Sequence, residues 1–244
     1  GQGALARPDG AQVLHAARSL AERCGLIKDG WNGFNVLHTA AGRVGALDLG
    51  FVPGAGGRDL MGIFDACRSG EIDTVFLLGA DEFDMERLSG AFVIYQGHHG
   101  DAGAHRADVV LPGAAFTEKH ATYVNTEGRP QRGVLAVNAP GEAREDWRIL
   151  RALSEALGAR LPYDTLDEAQ RRMAEIAPHL SAIDRIEAAA WGAFGAAEAM
   201  GAAPFRSPID NYYMTDPISR ASETMAECTR AFVANRRATG TDGR

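Results

Sequence analysis

The sequence predicts a doubly wound α/β fold on a mostly parallel sheet, followed by a helical C-terminal extension. Three short apolar runs carry this reading: residues 74–78 (TVFLL), 92–95 (FVIY) and 108–111 (DVVL). Continuous rather than alternating apolar strands, separated by helical or loop crossovers, imply a parallel sheet covered on both faces. Each run leads into a polar loop, 79–84 (GADEFD), 96–103 (QGHHGDAG) and 112–120 (PGAAFTEKH). In such sheets the loops after the strand C-termini line the ligand crevice.

The remaining elements follow from caps and periodicity. Asp9 is placed to cap a helix running to about residue 23 and closed by Gly25, with Val13, Ala16, Ala17 and Leu20 on one face. A long packed connection rich in Gly and Asn follows, with a short helix near 40–44. A helix over 58–68 carries Leu60, Ile63, Phe64 and Cys67 on its buried side. Residues 131–137 are expected to pair with 122–125 as strands. Pro140-Gly141 leads into a helix over 144–157, with Trp147, Leu150, Leu153 and Leu157 in one stripe and Gly158 as its stop. Another helix fits 166–176, ahead of Pro178, and 188–204 reads as a loose Ala/Gly-rich connection. A last helix starts at the Asp216-Pro217 cap and buries Ile218, Ala221, Met225, Cys228 and Phe232. Two parts are expected, an α/β domain over 1–180 and an extension over 181–244.

Length and charge bound the function. The 244 residues can bury a substantial core, and a net charge of −7 with only the Arg236-Arg237 pair as a basic block argues against a nucleic-acid partner. No apolar run approaches the roughly 20 residues a membrane span needs, so direct membrane insertion is not expected. The chain opens on GQGAL rather than Met, which reads as the exit from an upstream strand and makes this the expected C-terminal part of something longer. Cys24, Cys67 and Cys228 are too widely spaced for a cluster, zinc or disulfide framework.

Several polar groups suggest chemistry and are better read as structure. His98, His99 and His105 with Asp101 lack the convergent spacing of a metal site, which favours a polar loop at a strand end. Residues 53–58 (PGAGGR) precede a helix but lack the Lys and Ser/Thr of a P-loop, so a tight turn is expected. The pairs Asp81-Glu82 and Glu145-Asp146 read as caps and surface charge rather than acid–base machinery. No catalytic residue and no metal ligand stands out.

Residues 95–129 (YQGHHGDAGAHRADVVLPGAAFTEKHATYVNTEGR) join an apolar strand through a Pro-Gly break to N-x-E-G-R. This stretch resembles the molybdopterin oxidoreductase superfamily, and GHHGDAGA ahead of ADVVLP resembles the branch formed by the large iron–sulfur subunit of respiratory complex I. Residues 31–53, 144–158, 161–168 and 212–228 look like the same branch, in the expected order. The resemblance implies the fold of a molybdenum enzyme used as a scaffold. In superfamily enzymes the turn matched by Asn125, Glu127, Gly128 and Arg129 lies against the pterin. Upstream, Asp101, Ala102 and Gly103 stand where those enzymes commonly carry Thr-Glu-Thr. The four turn residues are therefore read as a vestigial pterin-pocket turn, with Asn and Gly shaping it and Arg129 pairing a carboxylate.

The resemblance further implies a structural part of an NADH:quinone oxidoreductase subunit, with iron–sulfur clusters in the N-terminal part and no cofactor in this segment. The partners implied are other subunits of the hydrophilic arm, for which the C-terminal helix and the preceding Ala/Gly connection are docking candidates. The expected place is the cytoplasmic face of the bacterial inner membrane, or the matrix side of the mitochondrial one. Two rivals remain: a molybdopterin-dependent oxidoreductase resembling formate dehydrogenase, and a free-standing adaptor domain.

Overall fold

The computed structural model describes residues 1–234, and the Arg236-Arg237 pair lies outside them. The strands among the described residues are β1 (Ile27–Lys28), β2 (Trp31–Asn32), β3 (Thr74–Leu78), β4 (Phe92–Gly97), β5 (Val109–Pro112), β6 (Ala121–Val124) and β7 (Pro130–Gly133). The α-helices are α1 (Gln2–Leu5), α2 (Gly10–Arg23), α3 (Arg43–Asp48), α4 (Leu60–Ser69), α5 (Ala102–Arg106), α6 (Asp146–Ala156), α7 (Leu166–Ile176), α8 (Pro217–Arg220) and α9 (Glu223–Cys228). The chain divides into two compact units, each discontinuous in sequence.

One unit takes residues 52–120, 134–166 and those from 209 on. Its centre is a parallel sheet in the order β3-β4-β5, with Leu77, Tyr95 and Val110 in register. Leu77, Val93 and Tyr95 are buried with Phe64 and Cys67 of α4 and with Leu88 and Ala91. The Asp59 carboxylate starts α4 by accepting from the Gly62 N–H at 2.8 Å, and Gly70 ends it in the left-handed region at φ 75°. The predicted cover on both faces is met only in part. Phe92, Val109 and Val110 stay exposed among the described residues, and Leu60 in the first turn of α4 lies outside the buried cluster. In α6 the predicted stripe ends early, since Leu157 is exposed where the chain turns at Gly158 (φ 71°).

The expected single C-terminal helix is broken. Asp216 caps α8, but the Ser222 hydroxyl then accepts from the Met225 N–H and starts α9, which runs into a π-helical turn at Thr229–Val233. A continuous apolar period across residues 218–232 concealed a second capping serine at Ser222.

The other unit takes residues 1–51, 121–133 and 167–208. Asp9 sits at the N-cap position of α2 without capping it, because its carboxylate is taken by Arg7 and the Gly201 N–H. The helix buries Ala21 rather than the predicted face, leaving Ala17 and Leu20 exposed. Residues 191–196 run along α2. Trp191 donates to Glu22 at 2.8 Å, Ala196 N–H to Ala11 O at 3.0 Å, and the rings of Phe34, Trp191 and Phe194 form an edge-packed cluster. The antiparallel β6–β7 hairpin pairs Tyr123 with Gln131 and packs Val124 on Ala177 and Leu180, but β7 ends at Gly133, so residues 134–137 of the expected strand are not part of it. The short helix expected near 40–44 forms as α3, displaced toward the C-terminus. No helix of the described residues is long and apolar enough to cross a membrane.

Candidate functional site

The three strand-end loops meet as the parallel topology requires. Gly79 donates its N–H to Gln96 O and Gly113 to Gly97 O, each at 2.8 Å, so the sheet ladder continues one residue past the strands. Beyond it lies a cavity of about 240 Å³, lined by Leu78, Gln96, His98, Ala114, Lys119 and Asp146. Gln96 is fully buried; its Nε2 donates to Asp146 Oδ1 at 2.9 Å, while Oε1 has no hydrogen-bond partner. The other Asp146 oxygen pairs with Lys119. Asp146 therefore knits two strand-end loops to the start of α6 and is not the surface charge expected from sequence.

A second polar group lies on the loops after β3 and β4. Asp81 Oδ1 accepts from Arg220 Nη2 at 2.6 Å, and Asp101 pairs with Arg220 Nε. The Asp81 side chain is completely buried, so the expectation of a surface carboxylate is corrected here too. Its Oδ2 has no partner in the structure. Asp101 also caps α5 through the Ala102 N–H. Burial pushes the Asp101 carboxyl up, but Arg220 and the Ala102 N–H outweigh this and hold it below the ordinary range. Burial likewise works against the Arg220 charge, and the two carboxylates more than restore it.

Tyr95 fills the space between these groups. It is buried, and a Cβ on Gly97 or Gly103 would fall 2.4 or 2.5 Å from its ring. Both positions must be glycine for the loops to close over it. Burial pushes the Tyr95 phenol up to about 12, with Asp81, Asp101 and Glu82 adding to the effect.

The predicted histidines do not converge. His98 Nδ1 lies 2.7 Å from His99 Nδ1, and burial lowers the His98 pKa, followed by the charges of His99 and Lys119. No group of three or more His, Cys, Asp or Glu side chains among the described residues could hold a metal ion. Residues 53–58 form a turn, closed by Gly57 N–H on Gly54 O at 2.8 Å.

The N-x-E-G-R residues belong to the other unit, in the β6–β7 connection. Asn125 Oδ1 accepts from the N–H groups of Glu127 and Arg129, both at 3.0 Å, and Gly128 takes φ 84°. Arg129 pairs with Glu127 at 3.6 Å and donates to Asp184 O at 2.6 Å. The Asn125 contacts close the turn upon itself, and Arg129 ties it to Asp184. Sequence reasoning did not find Gln96, Lys119 or Arg220. Arg220 in particular meets Asp101 and Asp81 across 119 and 139 residues, a separation no local pattern reports.

The pattern of the family described as "Molybdopterin oxidoreductase" matches residues 1–156, and the pattern of a C-terminal region of NADH-ubiquinone oxidoreductase matches 185–228. The chain is 44% identical, over 95% of its length and 33% of the relative, to the NADH-ubiquinone oxidoreductase 75 kDa subunit of Reclinomonas americana. It is 48% identical, over 84% of its length and 28% of the relative, to the mitochondrial 78 kDa subunits of Candida albicans and Neurospora crassa. The chain thus spans about a third of the length of the relatives it matches. Among solved structures, acetylene hydratase from Pelobacter acetylenicus is similar at 21% identity and a TM-score of 0.37, over 41% of this chain and 16% of that one. The two family patterns and the relatives agree: the chain belongs to the molybdopterin oxidoreductase family, in the branch of the NADH-ubiquinone oxidoreductase 75/78 kDa subunit.

Proposed function

We propose that the chain is a structural part of a proton-translocating NADH:quinone oxidoreductase. In this reading the parent subunit passes electrons through iron–sulfur clusters held elsewhere in it, and this segment braces the peripheral arm without a redox centre. The observation that carries the reading is identity of 44% sustained over 95% of the chain, with the branch's own C-terminal pattern following the general one. Its partners are other subunits of the hydrophilic arm. Large apolar side chains left at the surface, Phe51 at 78% and Phe232 at 61% exposure, fit burial against such neighbours. The place is peripheral to the inner membrane, on the matrix side in mitochondria or the cytoplasmic side in bacteria. The sheet of the described residues is one part of a doubly wound sheet that the parent completes.

The residues present do not fit a pterin dinucleotide. The cavity of about 240 Å³ is below the roughly 300–1,000 Å³ of sites for larger ligands. Of its lining, Asp146 presents a carboxylate where a pyrophosphate would need donors, and the Lys119 and Gln96 donors are already engaged with it. Asn125 is engaged within its own turn, and Arg129 by Glu127 and the Asp184 carbonyl. These residues are proposed as a fold element retained without its cofactor.

The test is to tag the full-length parent, solubilise membranes in mild detergent, and identify what purifies with it. Flavin and quinone-site subunits with rotenone-type NADH:quinone activity support the reading. Recovery alone, or with bound molybdenum and pterin, overturns it in favour of a molybdopterin-dependent oxidoreductase, to which the match over residues 1–156 also points.

A further inference from the structure

We propose that Arg220 is an internal ligand of the strand-end crevice. Its guanidinium occupies an anionic subsite formed by Asp81 and Asp101, latching α8 over the loops that follow β3 and β4. The subsite is selective for a guanidinium-type cation. The latch rests on the preceding reading only for its consequence, that the crevice takes no cofactor.

Two loops and one distant side chain converge here. Asp81 follows β3, Asp101 follows β4, and Arg220 ends α8, with Nη2 on the first carboxylate at 2.6 Å and Nε on the second. Two carboxylates fixed on separate loops match the planar fork of a guanidinium, which an ammonium cannot reproduce. The Asp81 side chain has no exposed surface, and its Oδ2 is unpartnered. A buried carboxylate without a counter-charge is strongly disfavoured, so the subsite demands a cation whenever it is closed.

The α8 helix has four residues, too few to persist on its own, so the tie to the loops rather than helical stability fixes its position. Its start is set by Asp216, which accepts from the N–H groups of Ile218 and Ser219, and Arg220 is its last residue. The distribution along the chain is informative. Both carboxylates lie within residues 1–156, the portion matched by the general family pattern, whereas Arg220 lies within 185–228, the portion specific to this branch. The branch-specific segment thus supplies the group that closes a crevice belonging to the general fold.

The experiment is hydrogen–deuterium exchange with mass spectrometry on the intact parent subunit in its complex, comparing wild type with Arg220→Ala. Exchange in residues 79–84, 98–106 and 212–228 is expected to rise together by roughly tenfold or more. Millimolar methylguanidinium should return the two loops toward the wild-type rate, while tetramethylammonium should not. Faster exchange confined to 212–228, or equal effects of the two cations, overturns the proposal. If Arg220→Ala does not accumulate as folded protein, Arg220→Lys supplies the reading. With the charge kept and the fork lost, both loops should still exchange faster, and a wild-type pattern overturns the guanidinium requirement. Subunit co-purification is scored separately, so failure of the latch and failure of the complex assignment are distinguishable.

Discussion

Arg220 Nη2 donates to Asp81 Oδ1 at 2.6 Å across 139 residues of chain, and the acceptor side chain is wholly buried. Pairing of this kind is costly to break from one side, because the remaining charge has no water to return to. Arg220→Ala is therefore expected to destabilise its unit by about 3–5 kcal/mol. Arg220→Ala combined with Asp81→Asn should recover part of that loss, since the buried charge is then absent. Urea denaturation of these two variants and of Asp81→Asn alone completes the cycle, and additive losses would contradict the pairing.

Tyr95 and two aspartates contribute to the pH dependence of stability. The Tyr95 phenol is pushed up to about 12, by burial first and then by Asp81, Asp101 and Glu82, against about 10 in an unfolded chain. Below pH about 10 the phenol is protonated in both states and stability is unaffected by it. Between about 10 and 12 the unfolded chain releases the proton and the folded one does not, so stability falls as pH rises. In Tyr95→Phe that alkaline loss should shrink when melting temperature is followed against pH.

At the acid end the sign reverses. Asp9 is held down to about 2 by the Arg7 hydrogen bond. For Asp101, burial raises the carboxyl, and Arg220 with the Ala102 N–H overcomes it to leave the group below the ordinary range. Their contribution is present above the unfolded carboxyl pKa of about 3.9 and disappears as pH falls through the folded values. Asp9→Asn should flatten stability between about pH 4 and 2; an unchanged acid slope would remove Asp9 from the account.

Gly103 offers a test of packing whose sign opposes helix propensity. A Cβ there would lie 2.5 Å from the Tyr95 ring and 3.0 Å from Asp81 Cβ, both buried and held. Replacing glycine inside a helix by alanine ordinarily stabilises by about 0.5–1 kcal/mol. Gly103→Ala should instead cost about 1–3 kcal/mol. Gly100→Ala, with nothing within 4 Å of the added carbon, is the nearby control. A stabilised Gly103→Ala would show that Tyr95 is free to move aside.

These sites mark where sequence reading succeeds and stops. The apolar spacing of Ile63, Phe64 and Cys67 announces α4 from neighbours a few residues apart, and continuous apolar runs announce β3 to β5. The same periodicity marked Leu20 and Leu157 for burial, yet both are exposed, because a period identifies an apolar face without identifying what covers it. Asp81 and Asp146 looked like surface charge because their partners, Arg220, Lys119 and Gln96, are brought to them by tertiary folding. The Asn125–Arg129 turn was legible as a turn because its Asn and its Gly act on their own backbone.

That turn yields the last prediction, which separates a retained shape from a retained function. Asn125 Oδ1 receives two backbone N–H groups within the turn, and the Arg129 guanidinium reaches the Asp184 carbonyl. Asn125→Ala removes both acceptor contacts at a half-buried position and should cost about 1–2 kcal/mol. A shape-only role requires that this loss appear in thermal melting while NADH:quinone activity per assembled complex stays at the wild-type level. A pterin-contacting role requires that bound pterin, assayed by fluorescence after oxidative release, be present in wild type and lost in the variant. Because Gly128 adopts φ 84° whichever role holds, Gly128→Ala should strain the turn alone. Asn125→Ala and Gly128→Ala should therefore agree on stability and can disagree on function only if the asparagine touches something beyond its own turn.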